Sequence, residues 1–464
     1  MDFVEKKIDL KLILSVVATG ILSFAGVVVE MAMNITFPTL IQEFRIGTST
    51  VQWLTTGYLL MLALIIPTSS WMKKNFKTKN LFCTAMTLFL CGTLLALLAP
   101  SFWLLLAGRV IQGIGTGIAL PLMFNIVLEQ VPEENMGFMM GVATLITAMA
   151  PAVGPSFGGA IATVFGWRMI FAVLIPVLLI AFAFGIIGIR QVSKVERTSF
   201  PLMNWALLAI SFSGIIFAAS FASEMGWLSV PVMALLFIAA VALVLFYKNS
   251  VRLETPLVDV SALKDPVFTL NAAVIFLNQF ICLGLGFLMP NLAQISSGYT
   301  AFTAGLLFLP GCVIGAALSP VSGRIMDRFG ARIPILTGDI LIFTSAFCFY
   351  LFAGNLNIKT YIGFYLFFTI GQAFAVGPSM TTGLKHLPEA LNTDGNAIIN
   401  TMQQLAGAIG TSVVTTLVAA AQGNGMGNLA ENTVYGTKSA FALLAVLGMA
   451  MIGIFMMLIR KKSI

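Results

Sequence analysis

The stretch Gly323-Arg-Ile-Met-Asp-Arg-Phe-Gly-Ala-Arg332 is a short basic turn between two long apolar runs, and it has a counterpart in Ser70-Trp-Met-Lys-Lys-Asn-Phe-Lys-Thr-Lys79. Each turn follows the second apolar run of a set of six. Between the sets lie two further runs, 202–222 and 229–247. A repeated six-helix unit with a cavity between the copies is the architecture of transporters that rock about a central site.

The surrounding chain supports that reading. Of 464 residues, 59% are hydrophobic and only 9% charged, against the usual quarter of charged residues in a soluble domain. Apolar runs of about 20 residues, the length a bilayer core demands, recur throughout, and lipid forbids open sheet edges, so the runs are expected to be helices. Fourteen spans are expected, near 12–40, 50–72, 80–99, 101–128, 137–163, 167–189, 202–222, 229–247, 268–290, 302–323, 333–353, 360–382, 394–421 and 439–459. The fold class is therefore an all-α integral membrane protein: an N-terminal six-helix bundle (1–190), two extra helices with linkers (191–266) and a C-terminal six-helix bundle (267–464). The run following Lys6, Lys7 and Lys11 is too long for a signal segment and reads as the first span.

With the N-terminus cytoplasmic, twenty Lys and Arg fall in inner segments and four, Arg45, Arg168, Lys359 and Lys438, in outer loops, while Arg109 lies within a span. That bias predicts both termini inside a bacterial plasma membrane. The net charge of +7 is thus a topology signal, and no nucleic-acid partner is expected. The longest hydrophilic stretches are 248–267 and 422–437; the latter, rich in Gly and Asn, reads as a flexible external loop.

Several function classes are excluded. No GK[ST] phosphate loop occurs, so pumping must draw on an ion gradient. Cys83, Cys91, Cys282, Cys312 and Cys348 all lie in apolar runs, which argues against disulfides and a metal site, and His386 sits in an inner loop as a surface residue. No span combines a nucleophile with a base or pairs carboxylates at ligand spacing, so a membrane enzyme is not expected, nor a cofactor. No appended output domain suggests a receptor.

Ionisable groups inside spans are costly and mark function by default. Glu30 lies about 28 Å of helix beyond Lys11, and Arg109 about 12 Å beyond the outer start of its span, so the two can share a depth. A carboxylate in low dielectric resists ionisation and a neighbouring guanidinium favours it. Glu30 could bind a proton outside and release it inside while competing with a cationic substrate, which gives obligatory exchange by linkage. Alternatively the two form a fixed ion pair. Asp339 is either a second proton or cation site or an anchor for Arg328 or Arg332. Polar residues on apolar helices, Asn34 (sharing a face with Glu30), Gln112, Asn278, Gln279, Asn400, Gln403 and Gln404, either line the substrate cavity or bond between helices. Asp327 with Arg328 is expected to hold a gate by pairing with adjacent helix ends. Gly154 and Gly158 allow close helix approach, and Pro155 frees backbone groups and bends the helix. The 24 Met and 38 Phe supply pliable surface for a pocket or for packing.

Several stretches, in order, carry a resemblance: Glu30-Met-Ala-Met-Asn34 with Pro38, Val51-Gln-Trp-Leu-Thr-Thr-Gly-Tyr58, Gly108-Arg-Val-Ile-Gln-Gly113, Gly154-Pro-Ser-Phe-Gly-Gly159, Gly166-Trp-Arg-Met-Ile-Phe171 with Pro176, and Gly323 to Arg332. Over its whole length the chain resembles the 14-helix drug:proton antiporters of the EmrB and QacA type in the major facilitator superfamily, nearest to the LmrB-like exporters. The resemblance implies proton-coupled efflux of hydrophobic, cationic drugs by a monomer, with antibiotic resistance as the outcome. The alternative on the same fold is a dedicated exporter of one metabolite, antibiotic or lipid-like molecule. It also implies a gating role for Gly323, Asp327, Arg328 and Gly330, and an antiporter motif at Gly154, Pro155, Gly158 and Gly159 that limits proton leak. Two of these motifs depart from the pattern. Ser70 and Lys74 replace Gly and Asp of the first turn, so the resemblance carries no charge-relay role to that turn, and Ala150 replaces a Gly upstream of Gly154.

Overall fold

A computed structural model describes residues 8–196, 198–423 and 428–460, all of it built from helices and connecting turns among these residues. Among the described residues, thirteen helices are long and apolar enough to cross a membrane. One more, Met136–Phe165, is 30 residues long and contains no charged residue. In chain order the fourteen are α1 (Leu10–Phe44), α2 (Thr48–Ile65), α3 (Thr78–Leu97), α4 (Phe102–Gln130), α5 (Met136–Phe165), α6 (Met169–Gly188), α7 (Leu202–Met225), α8 (Val230–Arg252), α9 (Pro266–Ile295), α10 (Leu309–Phe329), α11 (Arg332–Phe352), α12 (Ile358–His386), α13 (Asn392–Gly423) and α14 (Leu429–Arg460). Pro67, which has no amide to donate, breaks α2 into a 3-10 turn before the path resumes over Ser69–Asn75.

The internal repeat reappears as packing. In the N-terminal half α1 packs on α5 and α6, α3 on α4 and α6, and α2 on α4; in the C-terminal half α9 packs on α13 and α14, α11 on α12 and α14, and α10 on α12. A close crossing in each half uses a glycine pair, since a Cβ on Gly92 would lie 2.6 Å from the Gly108 carbonyl and one on Gly338 2.6 Å from that of Gly371. Each half is thus a six-helix bundle with the same pairwise packing.

The extra helices sit asymmetrically. On one seam α5 and α10 meet directly, with the Gly323 Cα against the Gly137 carbonyl and the Thr144 and Ser319 hydroxyls 2.8 Å apart. On the other, α7 lies between α2 and α13. Trp205 donates to the Leu64 carbonyl at 3.3 Å, Trp227 to the Thr416 hydroxyl at 3.2 Å, and Ser412 to the Ala219 carbonyl. Leu208, Phe212 and Ile216 of α7 share a buried cluster with Ala63 of α2 and Ala397 of α13.

Two expectations about hydrophilic stretches change. Residues 429–437 are helical rather than a loose loop: Asn428 accepts from the Glu431 amide at 2.9 Å, Gln422 donates to Thr433 at 2.8 Å, and Gly436 lies flush against Val418. Residues 424–427 of that expected loop lie outside the described residues. Within 248–267, α8 continues to Arg252, and the turn Val260–Lys264 is capped by Asp259 and buries Val260 and Ala262. Of the counted basic residues, Lys6, Lys7, Arg197, Lys461 and Lys462 lie outside the described residues.

Overpacking a close crossing costs about 1–3 kcal/mol. Gly338→Val should therefore lower the thermal unfolding temperature of the detergent-purified protein. Gly363→Val should leave it unchanged, because a Cβ there meets nothing within 4 Å.

Candidate functional site

The face at which α1 begins and α2 ends carries most of the Lys and Arg; we call it the basic face. Beyond it, α4 presents a line of glycines that lets α2 and α3 press against it, with Gly113 at the Tyr58 carbonyl and Gly115 at that of Ala85. This closeness buries Arg109 completely. Its Nη1 donates to Gln112 Oε1 at 2.9 Å, Gln112 Nε2 donates to Thr93 Oγ1 at 2.9 Å, and Thr93 Oγ1 donates to the Phe89 carbonyl at 2.7 Å. The guanidinium lies 4.2 Å from the centroid of the Tyr58 ring, an arrangement worth about 2 kcal/mol when desolvated.

Glu30 on α1 is buried within electrostatic reach of both Arg109 and Tyr58. The alternative of a fixed ion pair is not what holds them, for no salt bridge joins the two among the described residues and Arg109 Nε and Nη2 have no acceptor. Buried donors without partners are rare enough to need a reason. The guanidinium retains capacity to bind a carboxylate or a ligand. One turn on, Asn34 is exposed and accepts from Thr55 Oγ1 at 2.6 Å.

The glycines of α5 set the position of this part of α1. A Cβ on Gly158 would lie 2.7 Å from Ala32 Cα, and one on Gly154 would strike Met31 and the Val28 carbonyl. Both contacts flank Glu30. Gly159 faces open space, and the side chain of Pro155 lies outside the described residues.

In the C-terminal half, Asp339 is completely buried with neither carboxylate oxygen hydrogen-bonded. It is not anchored to Arg328, which is exposed, and it makes no bond to Arg332. Asn278 is buried with both amide atoms unpartnered, while Gln279, Gln403 and Gln404 are half-buried. Asn400 is engaged through its amide nitrogen: it donates to the Asn396 carbonyl and side chain, and Asn396 in turn donates to the Pro121 carbonyl at 2.9 Å and Asn125 Oδ1 at 2.7 Å. This ladder crosses between the halves, so the structure brings Asn400 to an interface and not to the Glu30 network.

The basic face is closed. Asp327 at the end of α10 accepts the amides of Gly137 and Phe138 in the first turn of α5, each at 2.9 Å, and Arg324 stacks on Phe138 at 4.5 Å. Gly330, at a φ of +82°, ends α10 in a conformation that L side chains resist. Across the other seam, Asp394 of α13 accepts from Ser70 Oγ at 2.6 Å, Lys74 Nζ at 2.8 Å and the Asp259 amide at 3.0 Å. Thr144 lies eight residues into α5, about 12 Å along the helix, so the contacts that close this seam reach at least that deep. His386 is exposed and bonds Asp265 at 2.8 Å.

Sequence reasoning missed Tyr58, Asp394, Asn396 and Gln372, whose amide donates to Cys282 Sγ at 3.4 Å. A signal existed for Asp394, an acidic residue opening a span opposite the anomalous Lys74. None singled out Tyr58 among seven tyrosines.

Known proteins place this geometry. The family model described as the Major Facilitator Superfamily matches residues 19–411. The chain is 37% identical over 448 residues to the lincomycin resistance protein LmrB of Listeria monocytogenes, covering 95% of each chain. It is 27% identical over 413 residues to the multidrug export protein EmrB of Escherichia coli, covering 88% of this chain and 80% of that one. The crystal structure of the human organic anion transporter MFSD10 superposes with a TM-score of 0.69 at 11% identity, covering 96% of this chain and 99% of that one, a likeness of fold. The protein is a multi-pass membrane transporter, not an enzyme, and it belongs to the Major Facilitator Superfamily.

Proposed function

We propose that this transporter exports hydrophobic, cationic drugs or other toxic compounds in exchange for protons, with Glu30 as the carboxylate that binds proton and substrate in turn. The observation that carries the reading is the buried Glu30 beside an under-coordinated Arg109, on a segment of α1 positioned by the α5 glycines. An intramembrane carboxylate that competes for a proton and a cation couples the two flows without any further device. Asn34 and Gln112 on the N-terminal side, with Asn278, Gln279 and Gln403 opposite, are proposed substrate contacts, and Asp339 a second proton site. Drug efflux is supported by the names of the relatives, lincomycin resistance and multidrug export.

The basic face is proposed to be cytoplasmic, following the distribution of Lys and Arg. Thiol-reactive, membrane-impermeant reagents added to intact cells should then label a cysteine at Asn355 and spare one at Lys79. The bundles 1–190 and 267–464 are proposed to rock as units about 191–266, with Gly323, Asp327, Arg328 and Gly330 gating the inner side, and the protein to act as a monomer without nucleic acid. A dedicated exporter of one compound is the second reading, favoured by the presence of only Glu30 and Asp339 as carboxylates well inside the spans.

In liposomes holding a pH dye, lincomycin or a lipophilic cation should evoke proton movement by the wild type. Glu30→Gln should abolish it, a loss of at least about tenfold; full proton movement from that variant would make Glu30 structural. Arg109→Lys keeps the charge but not the flat stacking on Tyr58 or the fork geometry, and transport should fall about tenfold, whereas a wild-type rate would remove Arg109 from the coupling site.

A further inference from the structure

The two seams of the basic face close with opposite polarity. On the α5–α10 seam the carboxylate comes from the end of α10, where Asp327 reaches across to the bare amides of α5. The α2–α13 seam is its repeat-related counterpart, yet the end of α2 offers Lys74. The carboxylate has moved to the other partner: Asp394 sits in the first turn of α13, completely buried, and receives Lys74. Ser70 completes the N-terminal half's share, donating to the same carboxylate oxygen as the Asp259 amide. The neighbouring Lys73 does not compete, because it is buried against Glu129, Thr78 and Ser193, each at 2.9 Å.

We propose that Lys74 and Asp394 are gating residues, a charge-reversed equivalent of the Asp327 contact, and that Asp394 ties the segment leading out of α8 to the same gate through the Asp259 amide. The inference rests on the alternating-access reading above. Three donors from two segments converge on one carboxylate only while α2 and α13 are together. Parting them strips Asp394 of Lys74 and Ser70 at once, so the contact favours the closed basic face alone. It also gives the extra helices a role, since the chain that follows α8 is held by the same carboxylate that loses Lys74 and Ser70 when the seam opens.

The test is amide hydrogen exchange on the full-length protein in detergent, without substrate or proton gradient, reading 258–262 and 392–397. Lys74→Asp places two carboxylates together and should raise exchange in both segments about tenfold. Adding Asp394→Asn lets the new Asp at 74 face the first turn of α13 as Asp327 faces α5, and exchange at 392–397 should return toward the wild-type rate. Should K74D fail to fold, Lys74→Met, which keeps the stem and loses the charge, should raise exchange in the same segments. Wild-type exchange in both single variants overturns the proposal, as does a double variant no better protected or folded than K74D. Because the readout needs no transport, these results stand apart from any outcome for Glu30→Gln.

Discussion

The amides of a helix's first turn have no partners inside the helix, and they carry the positive end of its dipole. In this protein the first turns of α5 and α13 lie at the seams between the halves, so whatever meets them across the seam decides whether the basic face is shut. Asp327 meets the first directly. Asp394 sits within the second and is met by Lys74 and Ser70. Alongside them, the halves also meet through the Thr144–Ser319 contact, the Asn396 ladder to Asn125 and the flush packing of Gly137 on Gly323.

Closure on one face gives the buried site a sidedness. Glu30 lies twenty residues into α1 from its basic-face end, and the next turn of the helix reaches exposure at Asn34. The arrangement is strained in an informative way, for Arg109 retains unpartnered donors and Asp339 unpartnered oxygens in places water does not reach. Groups left so are expected where a ligand or proton is to be received. The α5 glycines bear on the same point, since any side chain at Gly154 or Gly158 would displace the segment of α1 that carries Glu30.

Much of this was legible in the sequence because lipid is a demanding solvent. Span lengths, the distribution of Lys and Arg and the repeated basic turn follow from the bilayer itself, and Glu30 and Arg109 stand out because charge is rare there. Asp327 was legible because it stands in an ordered motif. Other features were hidden for physical reasons. A seam-facing helix and a lipid-facing helix have the same composition, so nothing marked α7 as the filler between α2 and α13. Lys74 read as a lost function because its partner lies more than three hundred residues away, and Asp394, though an acidic residue opening a span, pairs with it only through the packing of the two helices. The early beginning of α14 depends on the Asn428 cap and on Gly436 fitting Val418, contacts that no local polarity pattern reports.

The central claim is that the basic face shown closed opens while the other face shuts. Spin-label distances test it most directly, with one pair at Lys79 and Phe329 on the basic face and another at Ser101 and Asn355 opposite, all exposed positions, in a background without the five cysteines. As pH and substrate are varied, the account predicts that one distance lengthens as the other shortens. Distances that stay fixed, or that change together in the same direction, would contradict it.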